Sequence, residues 1–169
     1  MRLFIAIPLD PAMRRAVQGV QEQFRRGGVR GNYTKPENLH LTLAFIGEYP
    51  DPSAVLEVID AVPLEPFALR LSGVGAFGDL WWLGLEGSGP LSACVRRLRH
   101  GLAEAGIPFD GKRFSPHVTL VRRAISGPAG MPGVRVPAAE MTVDHIALMR
   151  SDRGRDGMIY TELGRGPAR

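Results

Sequence analysis

Asn38-Leu39-His40-Leu41-Thr42-Leu43 returns later in the chain as Ser115-Pro116-His117-Val118-Thr119-Leu120. Both copies read His-x-Thr-x with apolar residues at the x positions. In an extended strand successive side chains alternate between the two faces, so residues two apart share a face. The pattern predicts two strands, one presenting His40 with Thr42 and the other His117 with Thr119. Leu41 and Leu43, like Val118 and Leu120, fall on the opposite faces and are expected to be buried. Composition alone also allows two half-buried strands whose polar residues do no chemistry. Two imidazoles, each beside a hydroxyl, are nevertheless a sufficient kit for moving protons around a phosphate.

Outward from the first copy, residues 2–8 are rich in Leu, Phe and Ile and predict a first strand. Asp10-Pro11 reads as an N-cap with proline at the first helical position. Met13, Val17, Val20 and Phe24 recur at helical spacing, and Gly27-Gly28 ends that helix. A short extended piece through Tyr33 and a turn at Pro36-Glu37-Asn38 lead into the first His-x-Thr strand, which runs to about Ile46. Asp51-Pro52-Ser53 opens a second helix reaching about Ala61.

Phe67, Leu69 and Leu71 alternate as a strand, Gly73 and Gly75 mark a bulge or bend, and Asp79 turns the chain back through residues 81–85 as a hairpin. One of Trp81 and Trp82 belongs in the core, which leaves the other to line a groove. Ser88 and Pro90 start a third helix with Leu91, Cys94, Val95, Leu98 and Leu102 on its apolar side. Residues 126–133 are loop, with a composition that suits a movable rim. Two last strands are expected at about 141–150 and 158–163, joined by a charged turn over 151–157.

The order is β-α-β-α-β-β-α-β-β-β, with the two motifs 77 positions apart (40 to 117), which fits a duplicated lobe. The fold class is therefore α+β. Residues 1–169 read as a single domain of two pseudo-symmetric lobes, one motif in each. Their antiparallel sheets line a central cleft, with helices on the outside.

The net charge is +4 and the pI about 9.8. Lys35 and Lys112 are the only lysines, so the basic residues are nearly all arginine. Guanidinium suits phosphate and stacks on bases, which favours an anionic partner; a GC-rich codon bias gives the same composition. Cys94 stands alone and excludes an intrachain disulfide; on an apolar helix face it reads as a buried small hydrophobe. The apolar run from Leu3 to Leu9 is too short for a membrane span and lacks the parts of a signal peptide, so the expected setting is cytoplasmic.

These residues carry a resemblance. The chain resembles the two-histidine phosphoesterases, and within them the bacterial RNA 2′,3′-cyclic phosphodiesterases, also called 2′-5′ RNA ligases. The resemblance runs from Met1-Arg2-Leu3-Phe4-Ile5-Ala6-Ile7 through Pro36–Gly47, Gly73-Val74-Gly75-Ala76-Phe77 and Phe114–Arg122 to Ser151 and Tyr160. It implies a bilobal fold, both histidines facing one cleft, and no metal or cofactor. It also implies hydrolysis of a terminal 2′,3′-cyclic phosphate to a 2′-phosphate. His40 then maps onto the proton donor and His117 onto the proton acceptor. Thr42 and Thr119 map onto phosphate-binding threonines, and Arg122 onto a basic residue that contacts phosphate. Where many relatives carry Arg-Trp, this chain has Asn32-Tyr33; Tyr33 is still able to stack on a base.

The residues themselves add two points. By strict alternation from His117, Arg122 faces away from the histidine, so either a bulge or strand end turns it inward or it is a surface arginine. Phe45, five after His40, holds the corresponding place in the other strand and is a candidate base-stacking residue or a core phenylalanine. His100 and His145 lack a threonine partner and read as structural. The implied partners are RNA 3′ ends or nucleotides bearing a cyclic phosphate, with no membrane and a monomeric protein. The rival readings are an RNA-end binding module, a reversible 2′-5′ ligase with incidental hydrolysis, and a metal-dependent hydrolase.

Overall fold

In chain order the elements are β1 (Arg2–Pro8), α1 (Pro11–Arg26), β2 (Arg30–Tyr33), a 3-10 turn (Pro36–Asn38), β3 (His40–Glu48), α2 (Pro52–Ala61) and β4 (Phe67–Phe77). They continue with β5 (Leu80–Leu85), α3 (Gly89–Glu104), β6 (His117–Ile125), β7 (Glu140–Val143), β8 (Ile146–Gly154) and β9 (Gly157–Gly166). This computed structural model describes residues 1–167. Each helix begins where a side-chain oxygen accepts an otherwise unpaired backbone N–H. Asp10 accepts from the Met13 N–H at 2.7 Å, Asp51 from Ala54 at 3.3 Å and Ser88 from Leu91 at 3.2 Å. A proline follows each cap in the first turn, where its missing N–H costs nothing.

The strands form two antiparallel sheets, β3-β1-β8-β9 and β2-β6-β5-β4-β7. The first His-x-Thr strand is an edge of the first sheet, and the second lies inside the second sheet. Neither sheet is a contiguous half of the chain: β2 and β4–β7 lie between β1 and β8 in sequence. Strands β3 and β6, from different sheets, run against each other. This is the bilobal α+β fold.

Two sequence expectations are corrected at the C-terminal end. The single strand expected over 141–150 is two strands broken at Asp144-His145. β7 pairs with β4 in the second sheet, while β8 pairs with β1 and β9 in the first. The crossing is visible in burial: Met141 and Val143 alternate with exposed residues, whereas Ile146, Ala147 and Leu148 are all buried, as befits a strand covered on both faces. The charged stretch 151–157 is mostly strand too. Its turn is only Arg155-Asp156, between Gly154 and Gly157, and Arg150 meets Asp152 on one face at 2.9 Å.

A continuous core joins the sheets to the helices. Met13, Val17, Val20 and Phe24 bury the inner stripe of α1, each contributing roughly 2 kcal/mol. Phe24 meets Trp81 edge-on at 5.2 Å. Since Trp81 stands opposite Val121, this is the core face of the second sheet. No helix among the described residues is long and apolar enough to cross a membrane.

Candidate active site

Both histidines are fixed in the same way, each by the carbonyl two residues earlier, just ahead of its strand. His40 Nδ1 lies 2.6 Å from the Asn38 carbonyl oxygen, and His117 Nδ1 lies 2.7 Å from that of Ser115. A carbonyl only accepts, so Nδ1 carries the hydrogen in each ring. That leaves Nε2 as the nitrogen available for proton transfer. In neutral His40, Nε2 accepts from the Thr42 hydroxyl at 2.8 Å. Thr119, two after His117, repeats the placement on β6.

The bulge that Arg122 requires is present, and β3 has its counterpart. Along β6, Thr119 pairs with Trp82 and Val121 with Trp81, so Leu120 has no partner on β5. Along β3, Thr42 pairs with Ala6 and Ala44 with Ile5, so Leu43 has none on β1. Each strand therefore buries two successive residues, Leu43-Ala44 and Leu120-Val121, and the next residue leaves on the opposite face. Phe45 and Arg122 consequently emerge on the histidine faces, both exposed, Phe45 at 55%.

The two sheets meet electrostatically at His40. Its pKa is held down to about 4, first by burial, which disfavours the cation, and then by the positive groups Arg122 and His117; the Asn38 carbonyl opposes them. A guanidinium and a second imidazole from the other sheet thus act on the same ring.

Aromatic rings wall each imidazole. Phe4 lies 4.9 Å from the His40 ring, and Tyr160 meets it edge-on at 5.3 Å. Phe77 meets His117 edge-on at 5.4 Å, with Trp82 at 6.2 Å. Trp82 has this position because Gly75 stands opposite it: a Cβ at Gly75 would lie 2.3 Å from the indole ring. The Gly73–Gly75 stretch contains the expected irregularity, a register shift between Leu71 and Val74, and supplies a bed for the indole.

The model of the 2′-5′ RNA ligase superfamily matches residues 8–155, a span that includes both histidine strands. This chain belongs to that superfamily. Among its relatives, the RNA 2′,3′-cyclic phosphodiesterase of Archaeoglobus fulgidus is 31% identical, over 96% of this chain and 98% of the relative. The protein of the same name from Thermus thermophilus is 34% identical, over 96% and 88%. Among solved structures, Escherichia coli LigT complexed with 3′-AMP superposes with a TM-score of 0.80 at 28% identity, covering 98% of this chain and 95% of LigT.

The structure places His40, Thr42 and Phe45 on one face of β3, and His117, Thr119 and Arg122 on one face of β6. It does not bring Tyr33 there. Tyr33 pairs with Val121, whose side chain faces the core, whereas Asn32 pairs with Arg122 and takes the histidine side. The Tyr33 hydroxyl donates to the Val29 carbonyl at 2.8 Å and Arg25 covers its ring at 4.2 Å. Burial raises its pKa. Tyr33 lines a hollow of about 420 Å³ with Gln18, Glu22, Arg25 and Lys35 beside α1.

The 126–133 loop also lies toward α1: Pro132 closes on Gly27, and Gln23 exchanges hydrogen bonds with the Arg135 backbone. His100 pairs with Glu104 on the exposed face of α3, and His145 with Asp144 between β7 and β8. Cys94 is buried, its thiol pushed up to about 11 by that burial, which leaves it protonated. No group of three His, Cys, Asp or Glu able to hold a metal ion is present among the described residues.

Sequence reasoning missed Phe4, Tyr160, Phe77 and Trp82 as neighbours of the histidines. All four stand on strands that reach the motifs only through long-range pairing. The signal that was available is the adjacent pair Trp81-Trp82, one of which had to leave the core.

Proposed function

We propose that this chain is an RNA 2′,3′-cyclic phosphodiesterase that hydrolyses the cyclic phosphate to a 2′-phosphomonoester by general acid–base catalysis. The observation that carries the reading is the pair of imidazoles, each with Nδ1–H tied to a carbonyl, carried by strands of two different sheets that pack against each other. The names of the curated relatives support the substrate class, and the nucleotide bound to LigT supports a nucleotide-sized ligand.

In this reading His117 Nε2 takes a proton from water as the water oxygen bonds to phosphorus. The bond from phosphorus to O3′ breaks, and His40 Nε2 gives its proton to O3′. Free His40 is neutral at neutral pH, so the bound phosphoryl anion is what brings its proton on. Thr42, Thr119 and Arg122 hold the phosphoryl oxygens and favour the transition state, where their charge is greatest. Phe45 stacks on the base. Tyr33, on the core side of β2, takes no part. The setting we infer is a cytoplasmic monomer acting on RNA 3′ ends or nucleotides, with no metal or cofactor.

The test is incubation of pure protein, with excess EDTA, with an oligoribonucleotide ending in 2′,3′-cyclic phosphate. The expected product is a phosphomonoester that resists a 3′-specific phosphatase. Binding without turnover would instead make the protein an RNA-end binding module, and activity abolished by EDTA would make it a metal-dependent hydrolase.

A further inference from the structure

Arg122 reaches the histidine face because β6 is interrupted on both sides of it. Before it, Leu120 has no partner on β5. After it, Arg123 has φ 54, a left-handed conformation uncommon outside glycine, and the register with β2 shifts between Arg30 and Asn32. A strand interrupted twice has lost ladder bonds that would fix its phase. A slip back to regular pairing would turn every following side chain to the other face.

One side chain stands where the phase is set. The Leu120 carbonyl accepts from the Thr34 N–H at 2.9 Å and from Gln21 Nε2 at 3.0 Å. The same amide nitrogen donates to the Thr34 carbonyl at 2.9 Å. Both hydrogens of one NH2 group, delivered from α1, thus join the β6 bulge to the end of β2. Gln21 is 2% exposed, on a helix whose other buried residues are Met13, Val17, Val20 and Phe24. Burying an amide among them is costly unless its hydrogens are matched, and here both are. Packing needs no amide at this position; the two carbonyls do. The other bulge has a longer counterpart, Arg99 of α3 donating to the Leu43 carbonyl at 3.4 Å.

We propose that Gln21 is a positioning residue for phosphate binding: it pins the Leu120 bulge and thereby places the Arg122 guanidinium beside the histidines. The proposal rests on the reading of Arg122 as a phosphate ligand.

The experiment is a double-mutant cycle with 2′,3′-cyclic AMP as substrate, using the parent, Gln21→Met, Arg122→Ala and the double variant. His40 is titrated in each by NMR. Gln21→Met is expected to lower kcat/KM about tenfold in the parent, mostly through KM, and by less than about twofold once Arg122 is alanine. It is also expected to raise the His40 pKa, as Arg122→Ala does, because the guanidinium has moved away. Should Gln21→Met fail to fold, Gln21→Ala replaces it, leaving room for water at the two carbonyls. Equal losses in both backgrounds with His40 unmoved would make Gln21 merely structural and overturn the proposal. An impaired Arg122→Ala beside a fully active Gln21→Met overturns this proposal alone. An Arg122→Ala of parental activity removes the phosphate role of Arg122 as well.

Discussion

Leu43 and Leu120 hold equivalent places in two different strands: each lies three positions after a histidine, and each is left without a partner by a β-bulge. The consequence appears two residues later, where Phe45 and Arg122 face the same way as the histidines. One bulge presents an aromatic ring and the other a cation. In the proposed mechanism the same backbone device thus serves two ends, a surface for a base on one strand and a charge for a phosphate on the other.

These two positions are expected to separate by kinetics. Arg122→Ala should lower kcat/KM on 2′,3′-cyclic AMP by about a hundredfold, because a charge-assisted contact that strengthens in the transition state is lost. Phe45→Ala should raise KM by about tenfold and leave kcat nearly unchanged, since stacking holds substrate and transition state alike. Both side chains are exposed, so both variants should melt close to the parent. A Phe45→Ala enzyme with unchanged KM for the nucleotide would remove the stacking role.

His40 makes stability depend on pH in a defined direction. Its folded pKa is about 4, against an ordinary value near 6.5 when unfolded. Between those values the unfolded chain binds more protons, so stability rises with pH there. The contribution is complete above about pH 6.5 and lost by about pH 4, and it amounts to about 3 kcal/mol. Urea unfolding of the parent and of His40→Gln at pH 4 and pH 7 checks this. The difference between the two pH values is expected to be smaller in the variant by that amount, and inorganic phosphate should raise the His40 pKa in the parent. Identical pH dependence in both proteins would contradict it.

Much of the fold was legible because its signals are local. Asp10, Asp51 and Ser88 mark the helix starts, the Met13–Phe24 spacing gives the inner face of α1, and the two His-x-Thr alternations give the histidine faces. The need for a bulge or strand end at Arg122 was legible too, since alternation and the expected role disagreed there. Other features were not legible, for physical reasons. The face of Tyr33 depends on Gly31, whose φ of 150 brings β2 against the Arg122 and Arg123 carbonyls. The break at Asp144-His145 is a change of sheet, decided by which strand edge is available and not by the propensity of residues 141–150. The ring contacts of Phe4 and Tyr160 with His40 exist only once β1, β8 and β9 have assembled.

Gly75 and Gly73 give a paired test of the indole bed. A Cβ at Gly75 meets the Trp82 ring at 2.3 Å, whereas one at Gly73 meets nothing within 4 Å. Gly75→Ala is expected to cost about 1–3 kcal/mol of stability through overpacking. It should also lower activity, because the displaced ring is a wall of the His117 site. Gly73→Ala should leave both nearly unchanged. Thermal melts with kinetics on the two variants check the contrast, and equal effects would contradict it.

In the proposed mechanism His40 and His117 act together on one phosphate. The most direct test is turnover of an oligoribonucleotide ending in 2′,3′-cyclic phosphate by folded His40→Ala and His117→Ala, with folding verified by near-UV circular dichroism. Each variant is expected to lose at least about a hundredfold in kcat, and the double variant little more than either alone, since the two imidazoles serve one step. Near-parental turnover by folded His117→Ala would show that His117 is not the base and that the two imidazoles do not share one step.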